Sequence, residues 1–334
     1  MFSDKRSNVV DYKLICMRYL LCCISVIISL VSCHKNDEEI ILYYDELNHV
    51  SPKEIAGETI EWSRDIEYST SVNYSLKFFC SRKCAGRRTG TKGAKRAGDY
   101  ILNSLDEIGI EPIIQHFTFG ENKDDHRNLV VRIQGESDSV IVVGAHYDGP
   151  FESDQLHSHM QAANDNASGT SCLLYLCELM ANEKTYYSVQ LCFWDAEEVT
   201  SGTFLNGSRA FVNSKMYDQK TKYYINIDGV GYYDEENTII VASGNEQLLN
   251  NAKSLVSSIT TDLEITYRND GKIKNNLDFY SFYEKGCPYY YYTNLKNHHL
   301  YNHSSNDVIE NMSVKKIEDV ALLTRDVIRN WRQK

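Results

Sequence analysis

Glu197 and Glu198 stand side by side directly behind LCFWDA, while His146 and Asp228 close the apolar runs IVVGA and YYINI. Charge is seldom set flush against buried aliphatic and aromatic residues without a use. Asp165, in AANDNASG, and His303, in LYNHSSND, add a carboxylate and an imidazole from two further segments. This mix of donors suits a hard-to-borderline cation, zinc above all, which takes few ligands and leaves a position open. Each element alone has a structural reading. Asp165 can cap a helix starting at Ala167, His146 can be a satisfied core histidine, Asp228 a turn former before Gly229, and the glutamates a solvated strand exit. Their coincidence at successive strand ends points to a metal cage, because open α/β sheets gather their sites at the carboxyl ends of the strands.

Such a cage needs a frame of alternating strands and helices. Runs rich in β-branched and aromatic residues at 128–133, 139–146, 187–194, 222–228, 238–243, 263–268 and 288–294 read as strands. Helical spacing predicts helices within 86–109, with Ala97, Tyr100, Ile101 and Leu105 inward and Gly109 as the stop, and over 167–183, 246–259 and 314–331. The basic residues between Arg82 and Arg96 read as a solvated face. Strands that are apolar throughout and separated by helices indicate an α/β fold, a three-layer αβα sandwich with a mostly parallel, mixed central sheet.

The 334 residues carry a formal charge of −11, which argues against a nucleic-acid partner. The first 33 residues read as an address: Met17-Arg18 and the apolar run YLLCCISVIISL are too short to span a bilayer comfortably and describe a secretory signal. An uncleaved anchor or a simple signal cut nearby is the alternative. LVSC resembles the bacterial lipobox, which implies that Cys33 is lipidated and becomes the mature N-terminus, anchoring an exported protein in the cell envelope. HKNDEEI, just after it, resembles a short tag for the outer face of the outer membrane and reads equally as a solvated tether. Removing residues 1–32 leaves 31 basic and 44 acidic side chains, a net −13. Residues 34–74 are then the tether and lead-in, and 75–334 the catalytic domain. Six of ten cysteines remain past Cys33; Cys80 and Cys84 could pair in an oxidising compartment, while Cys172, Cys177 and Cys192 read as small core residues.

In order along the chain, GAHYD, ANDNASG, DAEE followed by GSRAF, NIDGVG and NHSSND resemble the two-zinc aminopeptidases of the aminopeptidase Y and bacterial leucyl-aminopeptidase type. The likeness runs over about 75–331 and includes AGRRTG and DFYSFYEKGCP. It implies a catalytic zinc pair bridged by Asp165, with His146 and Asp228 completing one site and Glu198 and His303 the other. It further implies Glu197 as general base and Asp148 as the residue orienting the His146 imidazole, as ligating histidines require. One glutamate would hold metal while its neighbour moves the proton. The substrate would be a peptide with a free N-terminus, its α-amine meeting a zinc or nearby acids. Asn302 stands where several relatives carry a tyrosine that helps hold the oxyanion, with Tyr301 beside it, and Gly229 stands where relatives carry a larger apolar residue. His157 and His159 read as loop residues, and PYYYYTN either as part of a side-chain pocket or as a buried strand. Two other classes share the scaffold: glutaminyl cyclases, with a single zinc, and non-catalytic binding proteins, which usually lose ligands.

Overall fold

The computed structural model describes residues 71–120, 122–150, 160–199, 204–273, 275–294 and 301–331. The expected signal segment with Cys33, most of the expected tether, and His157 and His159 lie outside these residues. The chain enters through helix α1 (Ser71–Phe79), whose Val72, Asn73 and Leu76 are buried. The domain therefore includes residues that the sequence reading gave to the lead-in, and the boundary at 74/75 falls inside a helix.

Helix α2 (Lys92–Glu107) begins at Thr91, whose side chain accepts from the Ala94 N–H, and buries the expected Ala97, Tyr100, Ile101 and Leu105. Gly109 follows with φ 73°, the left-handed stop that glycine supplies most easily. The remaining elements are β1 (Ile113–Phe119), β2 (Asn122–Ile133), β3 (Ser137–His146), α3 (Gly169–Met180), β4 (Tyr187–Trp194), α4 (Asn206–Val212), β5 (Thr221–Ile227), β6 (Thr238–Ser243), α5 (Glu246–Val256), β7 (Glu264–Asn269), α6 (Phe279–Tyr283), β8 (Tyr289–Thr293) and α7 (Val314–Asn330). Sequence reasoning did not find α1, β1, α4 or α6.

The strands form one mixed sheet in the order β1-β2-β4-β3-β5-β8-β6-β7. Its centre, β4-β3-β5-β8, is parallel, as is the β6–β7 edge, while β1–β2, β2–β4 and β6–β8 are antiparallel. Strand alternation sends Val130, Val142, Cys192, Trp194, Tyr224, Tyr289 and Tyr291 to one face, where they pack with Phe211 of α4 and Phe279 and Phe282 of α6. The intervening Leu129, Val131, Ile141, Val143, Leu191, Phe193, Ile225, Tyr290 and Tyr292 are buried as well. On the other face α3 packs against α1, α2 and α7. Burial on both sides explains why these strands read as unbroken apolar runs. Each large side chain taken from water contributes about 1.5–3 kcal/mol, so burial on both faces anchors the strands whose ends carry the site.

Two details tie the core to the site. Gly144, two residues before His146, has no room for a side chain: a Cβ there would lie 2.3 Å from Trp194 Nε1 and 2.5 Å from the Tyr224 hydroxyl. Those two groups are hydrogen bonded at 3.0 Å, and Tyr224 donates onward to Asn226 Oδ1 at 2.8 Å. PYYYYTN is β8, with Tyr289 to Tyr292 all buried, which decides between the two sequence readings in favour of a buried strand. The cysteines Cys80, Cys84, Cys172, Cys177, Cys192 and Cys287 are buried and unpaired, so the 80–84 pairing is absent.

Candidate active site

His146 ends β3, and its neighbours β4 and β5 end in parallel register beside it, so the residues that follow all emerge at one edge of the sheet. The His146 Nε2 lies 3.3 Å from Asp165 Oδ1 and 3.7 Å from Asp228 Oδ1. His303 Nε2 lies 3.1 Å from the other oxygen of Asp165 and 2.9 Å from Glu198 Oε1. Asp165 thus offers one oxygen to each imidazole. Donor atoms of His146, Asp165 and Asp228 lie within 4.8 Å of one another, as do those of Asp165, Glu198 and His303, and those of His146, Glu197 and Glu198. The structure brings together all six residues singled out in the sequence.

The turn after β4 shows how adjacent glutamates reach one pocket. Ala196 is held at φ 60°, a left-handed conformation uncommon for a residue with a Cβ. The surrounding bonds over-determine it: Asp195 Oδ1 accepts the Ala196 N–H at 2.8 Å, and Asn206 N–H donates to Ala196 O at 2.9 Å. The Asp148 carboxylate then accepts the Glu197 N–H on one oxygen and the Glu198 N–H on the other, both at 3.1 Å, together with the Thr89 hydroxyl at 2.7 Å. Asp148 also meets His146 Nδ1, through its backbone carbonyl at 3.2 Å and its carboxylate at 3.5 Å. Its role is wider than orienting an imidazole: it holds the backbone of both glutamates and turns His146 Nε2 toward the acids.

Asp165 does not cap α3. Ser168 precedes that helix without a side-chain cap, and Asn166 Oδ1 accepts the Gly169 N–H at 2.9 Å instead. The same Asn166 oxygen accepts from Gly229 at 3.2 Å, while its Nδ2 donates to Ile227 O, locking the 163–168 turn onto the end of β5. Gly229 has φ 65°, so the glycine serves the backbone turn behind Asp228. Asp307 accepts the N–H groups of Asn164 (2.7 Å) and Asp165 (3.1 Å), leaving the Asp165 side chain to face the imidazoles.

Arg87 was missed entirely. Read in the sequence as part of a solvated basic face, it is fully buried, and Arg96 nearly so. Its guanidinium donates to four backbone carbonyls: Phe79 (2.7 Å), Ala162 (2.8 Å), Tyr147 (3.0 Å) and Gln161 (3.0 Å). It therefore clamps the segments that carry His146–Asp148 and Asp165 to α1. A run of basic residues gives no local sign of which one turns inward; only its place in AGRRTG carried a signal. Five non-glycine residues with positive φ, Arg87, Ala162, Ala196, Leu205 and His303, lie on the segments that build the site. Strain of this kind collects where surrounding structure holds a functional geometry.

The electrostatics describe a cluster with more negative charge than its imidazoles balance. Burial, then the charge of Glu198, pushes Glu197 well above the usual carboxylate range. Burial and the nearby Asp165 raise Glu198 to about 7, and burial raises the adjacent Asp278 to about 7. Burial would raise Asp165 as well, but the hydrogen bonds and charges of His146 and His303 hold it well below that range. His146, despite burial, is pulled well above the ordinary imidazole value by Glu197, Asp148, Asp165 and Asp228. Hydrogen bonds donated to Asp165 and Glu198 raise His303 to about 11. Asp228 Oδ2 has no hydrogen-bond partner among the described residues. Protons here do what a divalent cation does better, so the donor set fits a metal.

The sequence profile of Peptidase family M28 matches residues 128–328, a stretch that includes every one of these six residues. The chain belongs to peptidase family M28. This is the group that the motif order resembles. A probable leucine aminopeptidase from Trichophyton verrucosum (strain HKI 0517) is 25% identical over 258 residues, covering 74% of this M28 chain and 64% of the fungal protein. The chain thus spans just under two thirds of that relative's length. Among solved structures, a leucine aminopeptidase precursor from Bacteroides thetaiotaomicron VPI-5482 superposes with a TM-score of 0.64 at 17% identity, covering 82% of this chain and 100% of that one. Tannerella forsythia glutaminyl cyclase gives a TM-score of 0.65 at 19% identity, covering 78% and 98%. At such identities the two structures establish the α/β fold, and they do not choose between the activities.

Proposed function

We propose that the chain is a zinc-dependent aminopeptidase that removes the N-terminal residue of peptides. One observation carries this reading: Asp165 gives one carboxylate oxygen to an imidazole–carboxylate group made with His146 and Asp228, and the other to a second group made with His303 and Glu198. Two groups sharing a carboxylate suit two zinc ions better than the single zinc of a cyclase, and a binding protein without chemistry has no use for either. His146, Asp165 and Asp228 would hold one ion, and Asp165, Glu198 and His303 the other. Bound zinc supplies Lewis acidity toward the scissile carbonyl and lowers the pKa of water.

The remaining chemistry belongs to side chains. Glu197 takes a proton from the attacking water as its oxygen bonds to the carbonyl carbon. When the carbon–nitrogen bond breaks, the same carboxyl returns that proton to the leaving amine. A carboxyl already raised by burial and by Glu198 is suited to holding a proton between the two events. Asp148 keeps Glu197 and Glu198 in register through their N–H groups, so a ligand and a base occupy consecutive positions.

The test is a mass-spectrometric time course of zinc-loaded protein with a peptide pool. The pool holds matched free and acetylated N-termini and one peptide starting with glutamine. Stepwise loss of residues from free N-termini alone supports the reading. Loss of ammonia from the glutamine peptide alone, through acyl transfer to its own amine, would make the chain a cyclase.

The same proposal places the enzyme in the bacterial cell envelope, tethered by lipid on Cys33. The support is the short apolar run ending in LVSC. Detergent-phase partitioning of the full chain, abolished by Cys33→Ser, tests it; a Cys33→Ser protein that partitions like the parent refutes it.

A further inference from the structure

Asn302, directly before His303, donates from Nδ2 to Asp165 Oδ2 at 2.9 Å. The carboxylate oxygen it meets also takes His303 Nε2 at 3.1 Å and serves as an acceptor, so the amide nitrogen is the end turned toward it and the oxygen is the other end. That oxygen, Asn302 Oδ1, is buried and has no donor among the described residues. A buried acceptor is rarely left without one. The carboxylates next to it in the cluster are acceptors, not donors: Asp165 Oδ2 takes the Asn302 Nδ2 bond, and Asp165 and Glu198 engage His303 Nε2.

We propose that Asn302 Oδ1 accepts a hydrogen bond from the free α-ammonium of the bound peptide and so helps select N-termini. The inference rests on the aminopeptidase reading and deepens it. In a peptide the α-ammonium is one carbon from the carbonyl that is cleaved. A carbonyl set beside Glu197 and Asp165 therefore brings the ammonium among the groups surrounding Asp165. An ammonium offers three N–H donors, while an acetylated or internal amide offers one. An amide oxygen meets that need without adding a further negative charge beside the carboxylates of Asp165 and Glu198. Asn302 is thus a specificity residue with two ends, one bracing Asp165 and one reading substrate.

The experiment compares two hydroxamates on the zinc-loaded full chain: leucine hydroxamate and the same compound lacking the amine. The wild type should bind the amino compound more tightly. Asn302→Leu, close in volume, should lose about 10- to 100-fold of that preference, the effect of one hydrogen bond to a charged group, read at matched zinc content. Because losing the brace on Asp165 would weaken both compounds alike, the ratio of the two affinities is the readout. If Asn302→Leu weakens both compounds alike, or keeps the wild-type ratio, Asn302 only braces Asp165 and the proposal fails while the aminopeptidase reading stands. If the wild type shows no preference for the amino compound, both fall.

Discussion

Replacing Arg87 with methionine tests whether the site depends on a clamp outside it. The guanidinium makes four hydrogen bonds to backbone carbonyls, with no carboxylate in ion-pair range among the described residues. At about 1.5–3 kcal/mol for each bond to a charged group, the gross contribution is about 6–12 kcal/mol. Against it stands the desolvation of a buried guanidinium, several kcal/mol that methionine does not incur. Methionine fills much of the volume but takes a donor from each of the four carbonyls, of which Ala162 O keeps the Ala167 N–H at 3.2 Å. The net loss expected is about 3–5 kcal/mol, at the upper end for single substitutions. With a denaturant slope of about 3 kcal/mol per molar, the urea midpoint of metal-free protein should fall by about 1–1.7 M. Because the carbonyls belong to Tyr147, Gln161 and Ala162, zinc affinity should fall too. Arg87→Lys should recover little, since a point charge cannot serve four diverging acceptors. A midpoint drop of less than about 0.3 M, under 1 kcal/mol by the same slope, would show that the clamp is dispensable and refute the reasoning.

Other expectations follow from the same contacts. Asp148→Asn keeps the shape but removes charge from the acceptor of the Glu197 and Glu198 N–H groups; zinc affinity should drop about 10- to 100-fold, measured by competition with a chromogenic chelator. The pH dependence has a definite sign. His146 and His303 have folded-state values raised above the ordinary imidazole value, to about 11 for His303. Their contribution to metal-free stability is therefore complete below about pH 6.5 and is lost as pH rises toward those raised values. Zinc must displace those protons, so its binding should release protons, and the gap in Tm between zinc-loaded and metal-free protein should widen from pH 6 to 8. Calorimetry in buffers of different ionisation enthalpy measures the first and thermal scans the second; a gap that narrows with pH would contradict the assignment of the imidazoles.

The central strands and long helices were legible because both faces of the sheet are buried, which turns strands into apolar runs that composition reveals directly. The six candidate residues were legible for a related reason: charge placed at the end of such a run stands out. What escaped was carried by residues whose local pattern resembles something ordinary. β1, IIQHFTF, is an edge strand with Ile113 and Ile114 exposed, so it lacks the signature of the centre. α4 and α6, at 7 and 5 residues, are too short for periodicity to mark. Arg87 hid among neighbouring basic residues, and Asp307 sat inside NHSSND with nothing to show that it braces the backbone of Asp165 from 142 residues away. Hydrogen bonds to backbone groups leave little trace in a single sequence, because the acceptor is present in every residue.

The division of labour between Glu197 and Glu198 is the centre of this account, and the turnover of zinc-loaded Glu197→Gln on a free-amine peptide tests it most directly. Glutamine keeps the size and the backbone bonds to Asp148 but cannot carry a proton between water and amine. The account predicts zinc content equal to wild type and a rate lower by about 10²–10⁴. Turnover within tenfold of wild type, or a variant that no longer retains zinc, would contradict it.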